Sequence, residues 1–182
     1  MIIRTERLIL RPFQADDLDL IYRLYSDETV MRYMPYDLMD LSAARKHLSR
    51  ILRDLQEEPV LNHELAVIRQ DTGTKTGRCH IQIDPDTETG MIGWLLPEEE
   101  WNHGYATEIT EALKGCCFNT LHLHRMNALC NPDNIRSRHV LEKCGFRLEA
   151  HYIRKVRYIR YGKESWEDEL EYALLQTEYA DQ

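Results

Sequence analysis

Early in the chain the apolar residues Leu18, Ile21, Tyr22 and Tyr25 stand at i, i+3, i+4 and i+7, a spacing that predicts an amphipathic helix. Just before it, Glu6 to Arg11 alternates in the manner of a short strand, which Pro12 closes. A second helical stripe follows Ser42, an acceptable N-cap. It places Ala44, Leu48, Ile51, Leu52 and Leu55 on one face and stops at Pro59.

The period then changes. His63 to Arg69, Thr76 to Asp84 and Met91 to Leu96 predict three strands, separated by the turn-forming Asp71-Thr-Gly and Asp84-Pro-Asp and by Gly90. In the middle strand Cys79, Ile81 and Ile83 share one face, while Arg78, His80 and Gln82 share the other. Gly104 to Thr120 returns to helical spacing, and Arg125 to Asn131 predicts a strand. Asn134 caps a short helix that Gly145 ends, and Phe146 to Arg154 and Asp168 to Leu175 predict two last strands flanking a turn around Gly162. An antiparallel meander followed by a strand-helix-strand unit makes an α+β fold with a mixed sheet. No repeat or linker divides the chain, so residues 1–182 are expected to form one domain with its core over about 5–176.

Composition narrows the function. With 182 residues, 43% of them hydrophobic and 30% charged, the chain has the balance of a soluble globular protein with a substantial core. It contains no run of 18 apolar residues and no cleavable leader, which implies a cytoplasmic protein without membrane attachment. A net charge of −8 argues against general nucleic-acid binding and favours cationic acceptors. The five cysteines lack CxxC spacing and read as buried thiols. His122 and His124 have no third ligand placed by spacing, so no metal site is expected.

Candidate chemistry centres on Trp101-Asn-His-Gly-Tyr-Ala-Thr107. Gly104 and the small Ala106 open a helix, so several backbone N–H groups can approach one anion, with the helix dipole and the Thr107 hydroxyl adding to the attraction. The segment is neither a Walker loop nor a dinucleotide fingerprint.

Four segments in order carry a resemblance. Trp94-Leu-Leu with Trp101 to Glu108, His124-Arg-Met-Asn-Ala with Asn131-Pro-Asp-Asn-Ile-Arg-Ser137, Leu141-Glu-Lys-Cys-Gly-Phe146 and the opening Thr5 to Phe13 resemble the RimJ/RimL-like branch of the GNAT acetyltransferases. The resemblance implies a GNAT-like mixed, largely antiparallel sheet with helices on both faces, and acetyl-CoA as co-substrate. It places the coenzyme's pyrophosphate on the amides of His103, Gly104, Tyr105, Ala106 and Thr107. The pantetheine arm would run beside Trp94, Leu95 and Leu96, where the strand splays from its neighbour, with Asn134 close by and Ser137 in the chemistry. Arg138 is open to a cofactor phosphate or to solvent.

Two positions depart from the family. Leu141 stands where many members have the tyrosine that protonates the leaving thiolate. Val156 and Arg157 stand where some ribosomal-protein acetyltransferases have a carboxylate. His80, water on Gln82 and Glu88 remain as base candidates. The implied acceptor is a primary amine, either a protein N-terminus or a small molecule such as a polyamine or an antibiotic. A non-catalytic acetyl-CoA sensor and a monomer or homodimer are also compatible. Acceptor contacts are expected around residues 26–40 and 154–165, where Met34, Tyr36 and Tyr158 are available. The basic run Arg154, Lys155, Arg157, Arg160 and Lys163 reads as a solvated hairpin or an anion contact, and Glu98, Glu99 and Glu100 as a solvated loop.

Overall fold

The computed structural model describes residues 1–180. Its strands are β1 (Ile3–Arg4), β2 (Leu8–Pro12), β3 (Asn62–Arg69), β4 (Lys75–Asp84), β5 (Thr89–Leu95), β6 (Arg125–Cys130), β7 (Arg147–Arg160) and β8 (Lys163–Leu175). Its helices are α1 (Leu18–Tyr25), α2 (Leu41–Asp54), α3 (Tyr105–Gly115), α4 (Ile135–Lys143) and α5 (Gln176–Ala180). The strands make one sheet in the order β1-β2-β3-β4-β5-β6-β8-β7. All neighbours are antiparallel except β5 and β6.

Alternation on the strands feeds two cores. Leu65, Val67, Cys79, Ile81 and Ile92 point to the face covered by Ile109, Leu113 and Phe118 of the α3 segment and by Leu141 of α4. Ala66 and Leu95 point to the opposite face, where Leu20, Ile21, Leu24, Leu48 and Ile51 of α1 and α2 pack. The sheet is thus covered by helices on both faces, as expected for an α+β domain of mixed, largely antiparallel pairing. No helix among the described residues is long and apolar enough to cross a membrane.

Several local expectations change. The N-terminal strand is two, with Thr5 at the turn between them, where its hydroxyl accepts from the Leu8 amide at 2.9 Å. In α1 the buried stripe is Leu20, Ile21, Leu24 and Tyr25, with Tyr22 facing out. Helix α2 starts earlier than Ser42 implied. Asp40 is the cap, accepting from the Ala43 amide at 2.7 Å, because its carboxylate reaches a free first-turn donor one residue outside the helix. The helix of α3 does not run regularly to Thr120; residues Cys116–Thr120 form a π-helical turn. Strands β7 and β8 extend to a tight Tyr161-Gly162 turn, well past Arg154 and before Asp168.

Candidate active site

Strands β5 and β6 pair only at Thr89 with Arg125, Gly90 with Met126 and Met91 with Asn127. Beyond Met91 they separate. β5 stays with β4 as far as Leu95, and β6 stays with β8 as far as Cys130, so the facing backbone edges are left without strand partners.

A groove of about 570 Å³ opens beside this splay, and Trp94, Leu95, Leu96, Gly104, Tyr105, Ala106 and Thr107 all line it. Gly104 is the N-cap of α3 with φ 81°, a left-handed conformation that suits glycine. The first intrahelical bond is from the Glu108 amide to the Gly104 carbonyl at 3.0 Å. Among the described residues the amides of Tyr105, Ala106 and Thr107 have no protein acceptor. Together with the helix dipole they form an anion-attracting end.

The end is braced from the N-terminal hairpin. Glu108 accepts from the Thr5 hydroxyl at 2.5 Å, the Arg7 amide at 2.8 Å and the Arg7 Nε at 2.7 Å. The Arg7 guanidinium also donates to the His103 carbonyl at 2.8 Å and lies 4.6 Å from the Tyr105 ring centre. His103 stacks on Tyr105 and is the one expected coenzyme contact that does not line the groove.

Helix α4 forms the other wall. The Asn134 side chain accepts from the Ser137 amide at 3.3 Å, so the residue caps the helix as its type suggests. Arg136, which sequence reading passed over, lines the groove with its guanidinium 4.8 Å from the Trp101 ring centre. Arg138 faces elsewhere, donating to Tyr172 Oη at 3.3 Å and to the Pro132 carbonyl at 3.1 Å. The two-residue difference turns the side chain by about 200° around the helix, so of the two arginines only Arg136 stands on the groove face with Ser137 and Val140. Glu98 and Glu100 also line the groove, and Glu100 is buried 3.8 Å from Arg69, not in a solvated loop.

A second cavity of about 670 Å³ adjoins on the far side of the splay. Val30, Tyr33, Trp94, Leu95, Asn134 and Ser137 line both spaces, so the two meet there. Met34, Tyr36 and Tyr158 line the second, as expected for the acceptor side. The segment carrying Val30 to Met34 is fastened by the hairpin. The Tyr158 hydroxyl donates to the Tyr33 carbonyl at 2.8 Å, and the Arg160 guanidinium donates to the carbonyls of Met31, Arg32 (2.6 Å) and Met34 (3.2 Å). Two further members of the basic run are paired, Lys155 with Glu169 at 2.8 Å and Arg157 with Glu164 at 2.7 Å.

The floor of this cavity is a charged network absent from the sequence reading. Arg78 donates to Glu64 at 2.5 Å, to Tyr25 Oη at 2.8 Å and to His80 Nδ1 at 2.9 Å. Burial opposes its charge, but the neighbouring Tyr25 and Glu64 hold the guanidinium's pKa above its ordinary value. Burial, aided by Arg78, pushes His80 down to about 3, and burial with Arg50 pushes His47 down to about 4. Of the base candidates, His80 and Gln82 line the cavity. Glu88 does not; its carbonyl holds the His124 and Arg125 amides at the base of the β5–β6 pairing. Leu141 and Val156 line the same cavity, leaving the tyrosine and carboxylate positions without titratable groups. Burial pushes the Cys130 thiol on this wall up to about 11, which makes it a poor nucleophile.

The acetyltransferase (GNAT) domain family model matches residues 7–147. The chain is 32% identical over 179 residues to the uncharacterized N-acetyltransferase YnaD of Bacillus subtilis (strain 168), covering 98% of this chain and 99% of YnaD. The crystal structure of a GNAT-family acetyltransferase from Bacillus anthracis matches with a TM-score of 0.83 at 28% identity, covering 97% and 99% of the two chains. The fold is also that of RimL, a ribosomal L7/L12 α-N-protein acetyltransferase solved with coenzyme A (TM-score 0.82, 19% identity, 96% and 98% covered). It is shared as well with a Vibrio cholerae spermidine N-acetyltransferase solved with CoA and spermine (0.81, 18%, 95% and 98%). A matched domain across most of the sequence and a full-length relative establish that the chain belongs to the GNAT acetyltransferase family and is an N-acetyltransferase.

Proposed function

We propose that this enzyme transfers the acetyl group of acetyl-CoA to an α-amino group at a peptide or protein N-terminus, the reaction type of the RimJ/RimL-like branch. The coenzyme's phosphates would rest on the start of α3 with Arg136 nearby. Its arm would follow the open β5 edge past Trp94 and Leu95 to the junction at Asn134 and Ser137.

The observation that carries the acceptor reading is the acid-base poverty of the second cavity. His80 is neutral throughout the physiological range, and both carboxylates on the wall already hold cations, Glu64 with Arg78 and Glu169 with Lys155. Such a wall supplies no strong base and no free acid to grip a polycation. An α-amine, with a reference pKa of about 7.7 to 8.0, is partly neutral at pH 7, whereas a side-chain amine near about 10.4 is almost wholly charged.

The neutral nitrogen attacks the thioester carbonyl carbon. The carbon–sulfur bond then breaks, the amide forms, and the proton lost by nitrogen balances the one gained by sulfur. Ser137, whose hydroxyl has no protein hydrogen bond among the described residues, would donate to the leaving sulfur in place of the tyrosine that Leu141 replaces. The poor thiolate character of Cys130 favours this direct attack over a thioacyl enzyme.

The test is thiol release from acetyl-CoA with three acceptors: peptides with a free N-terminus, the same peptides N-acetylated but carrying a free lysine, and spermidine. Release with the first at least tenfold faster than with the others is expected. Preference for the lysine peptide or spermidine would overturn the α-amino reading.

A further inference from the structure

His80 is held in one protonation state by geometry alone. An arginine guanidinium only donates hydrogen bonds, so the 2.9 Å contact from Arg78 makes His80 Nδ1 an acceptor, and the neutral ring carries its proton on Nε2. Arg78 is itself fixed by Glu64 on β3 and Tyr25 on α1, so the imidazole is oriented from three elements.

The ring also reaches across a strand. His80 pairs with Gly93 in the β4–β5 register, and a Cβ at position 93 would come within 2.5 Å of His80 Cε1. Glycine at that position lets the imidazole lie flat over β5, at a point where β5 has already parted from β6. Among the described residues Nε2 has no protein acceptor, and the cavity's two carboxylates are taken by Arg78 and Lys155. The charged and titratable groups around the ring are Arg78, Glu64 and Tyr25, with His47 and Arg50 of α2 on the same cavity.

We infer that His80 is a fixed N–H donor to an oxygen of the acceptor, and that the enzyme thereby selects amines bearing a carbonyl on the adjacent carbon. This rests on the α-amino reading and deepens it, since a peptide N-terminus carries its first carbonyl there. A neutral ring, favoured by burial, keeps the donor in place across the working pH range. An amine lacking that oxygen leaves a desolvated N–H unmatched, and such mismatches are rejected more strongly than a missing methylene.

The experiment compares kcat/KM for an amino-acid amide and for the alkylamine of the same shape without the carbonyl, using wild type, His80→Gln and His80→Phe. Wild type is expected to prefer the amide at least tenfold. In His80→Phe that ratio falls at least tenfold, through the acceptor KM, with the acetyl-CoA KM unmoved; His80→Gln, which keeps an N–H, recovers part of it. Melting curves identify any variant that fails to fold, and His80→Gln then carries the comparison. An unchanged ratio, or equal losses on both amines as a donor to the thioester would give, overturns this inference alone. Wild-type inactivity on every α-amine overturns the α-amino reading and this inference with it.

Discussion

At the scale of single residues, function is concentrated where a polar side chain has no protein partner or is held desolvated by burial. Ser137 is of the first kind. Ser137→Ala is expected to lower kcat roughly tenfold or more while acetyl-CoA affinity stays within about twofold, because the alanine keeps the backbone amide that Asn134 caps. Full turnover in that variant would remove Ser137 from the chemistry. His80 and His47 are of the second kind, and their burial has a pH signature. Their folded pKa values, about 3 and about 4, lie below the unfolded value of 6.5. The unfolded chain therefore binds protons first on acidification, so stability is full above pH 6.5 and is lost as pH falls toward 4. By pH 5 the His80 loss is about 2 kcal/mol. Thermal melts at pH 7 and pH 5 should show the drop, and His80→Gln should flatten it; an unchanged slope would mean the ring is not desolvated. Alternation along the middle strand did place His80, Arg78 and Gln82 on one face from sequence. That Arg78 donates to His80, so that the ring is a donor and not a base, depends on where Glu64 and Tyr25 arrive, which no local pattern encodes.

At the scale of elements, regular stretches were legible and irregular ones were not. Helix and strand positions followed from apolar spacing because tertiary burial reinforces it there. The β7–β8 hairpin is longer than alternation predicts because register shifts at Leu148/Ala150 and Tyr152/Val156, with Arg154 at φ 47°, break the pattern and leave a charged run that resembles a loop. In the folded hairpin Lys155 and Arg157 form cross-strand pairs, and Arg160 alone of the run reaches the segment covering both cavities. Arg160→Ala is expected to loosen that segment and raise the acceptor KM several-fold with a smaller change in kcat. Arg160→Lys should restore little, since one ammonium cannot match a guanidinium spanning several carbonyls. An acceptor KM identical to wild type would show that the fastening does not shape the site.

At the scale of the whole molecule, the proposed coenzyme site is a junction of distant segments. A parallel pair stops after Met91, α3 begins at Gly104, and α4 brings Ser137 and Arg136 across from it. Ordered motifs made the junction legible as a family resemblance, and the anion-binding physics of Gly104 agreed with it independently. The acceptor floor of Glu64, Arg78 and Tyr25 was not legible, because its members are 14 and 53 residues apart and meet only once β3, β4 and α1 pack. The most direct test of the account is titration calorimetry of acetyl-CoA into wild type and Gly104→Val. The substitution forces a β-branched residue into a left-handed backbone, which displaces the start of α3, and brings a Cβ to 3.4 Å from Arg7 Nη2, at a stability cost of about 1 to 2 kcal/mol. Saturable one-site binding to wild type, weakened at least tenfold in a Gly104→Val protein that still melts cooperatively, is the expected result. Unweakened binding in the variant, or none in wild type, would contradict the placement of the coenzyme at the start of α3.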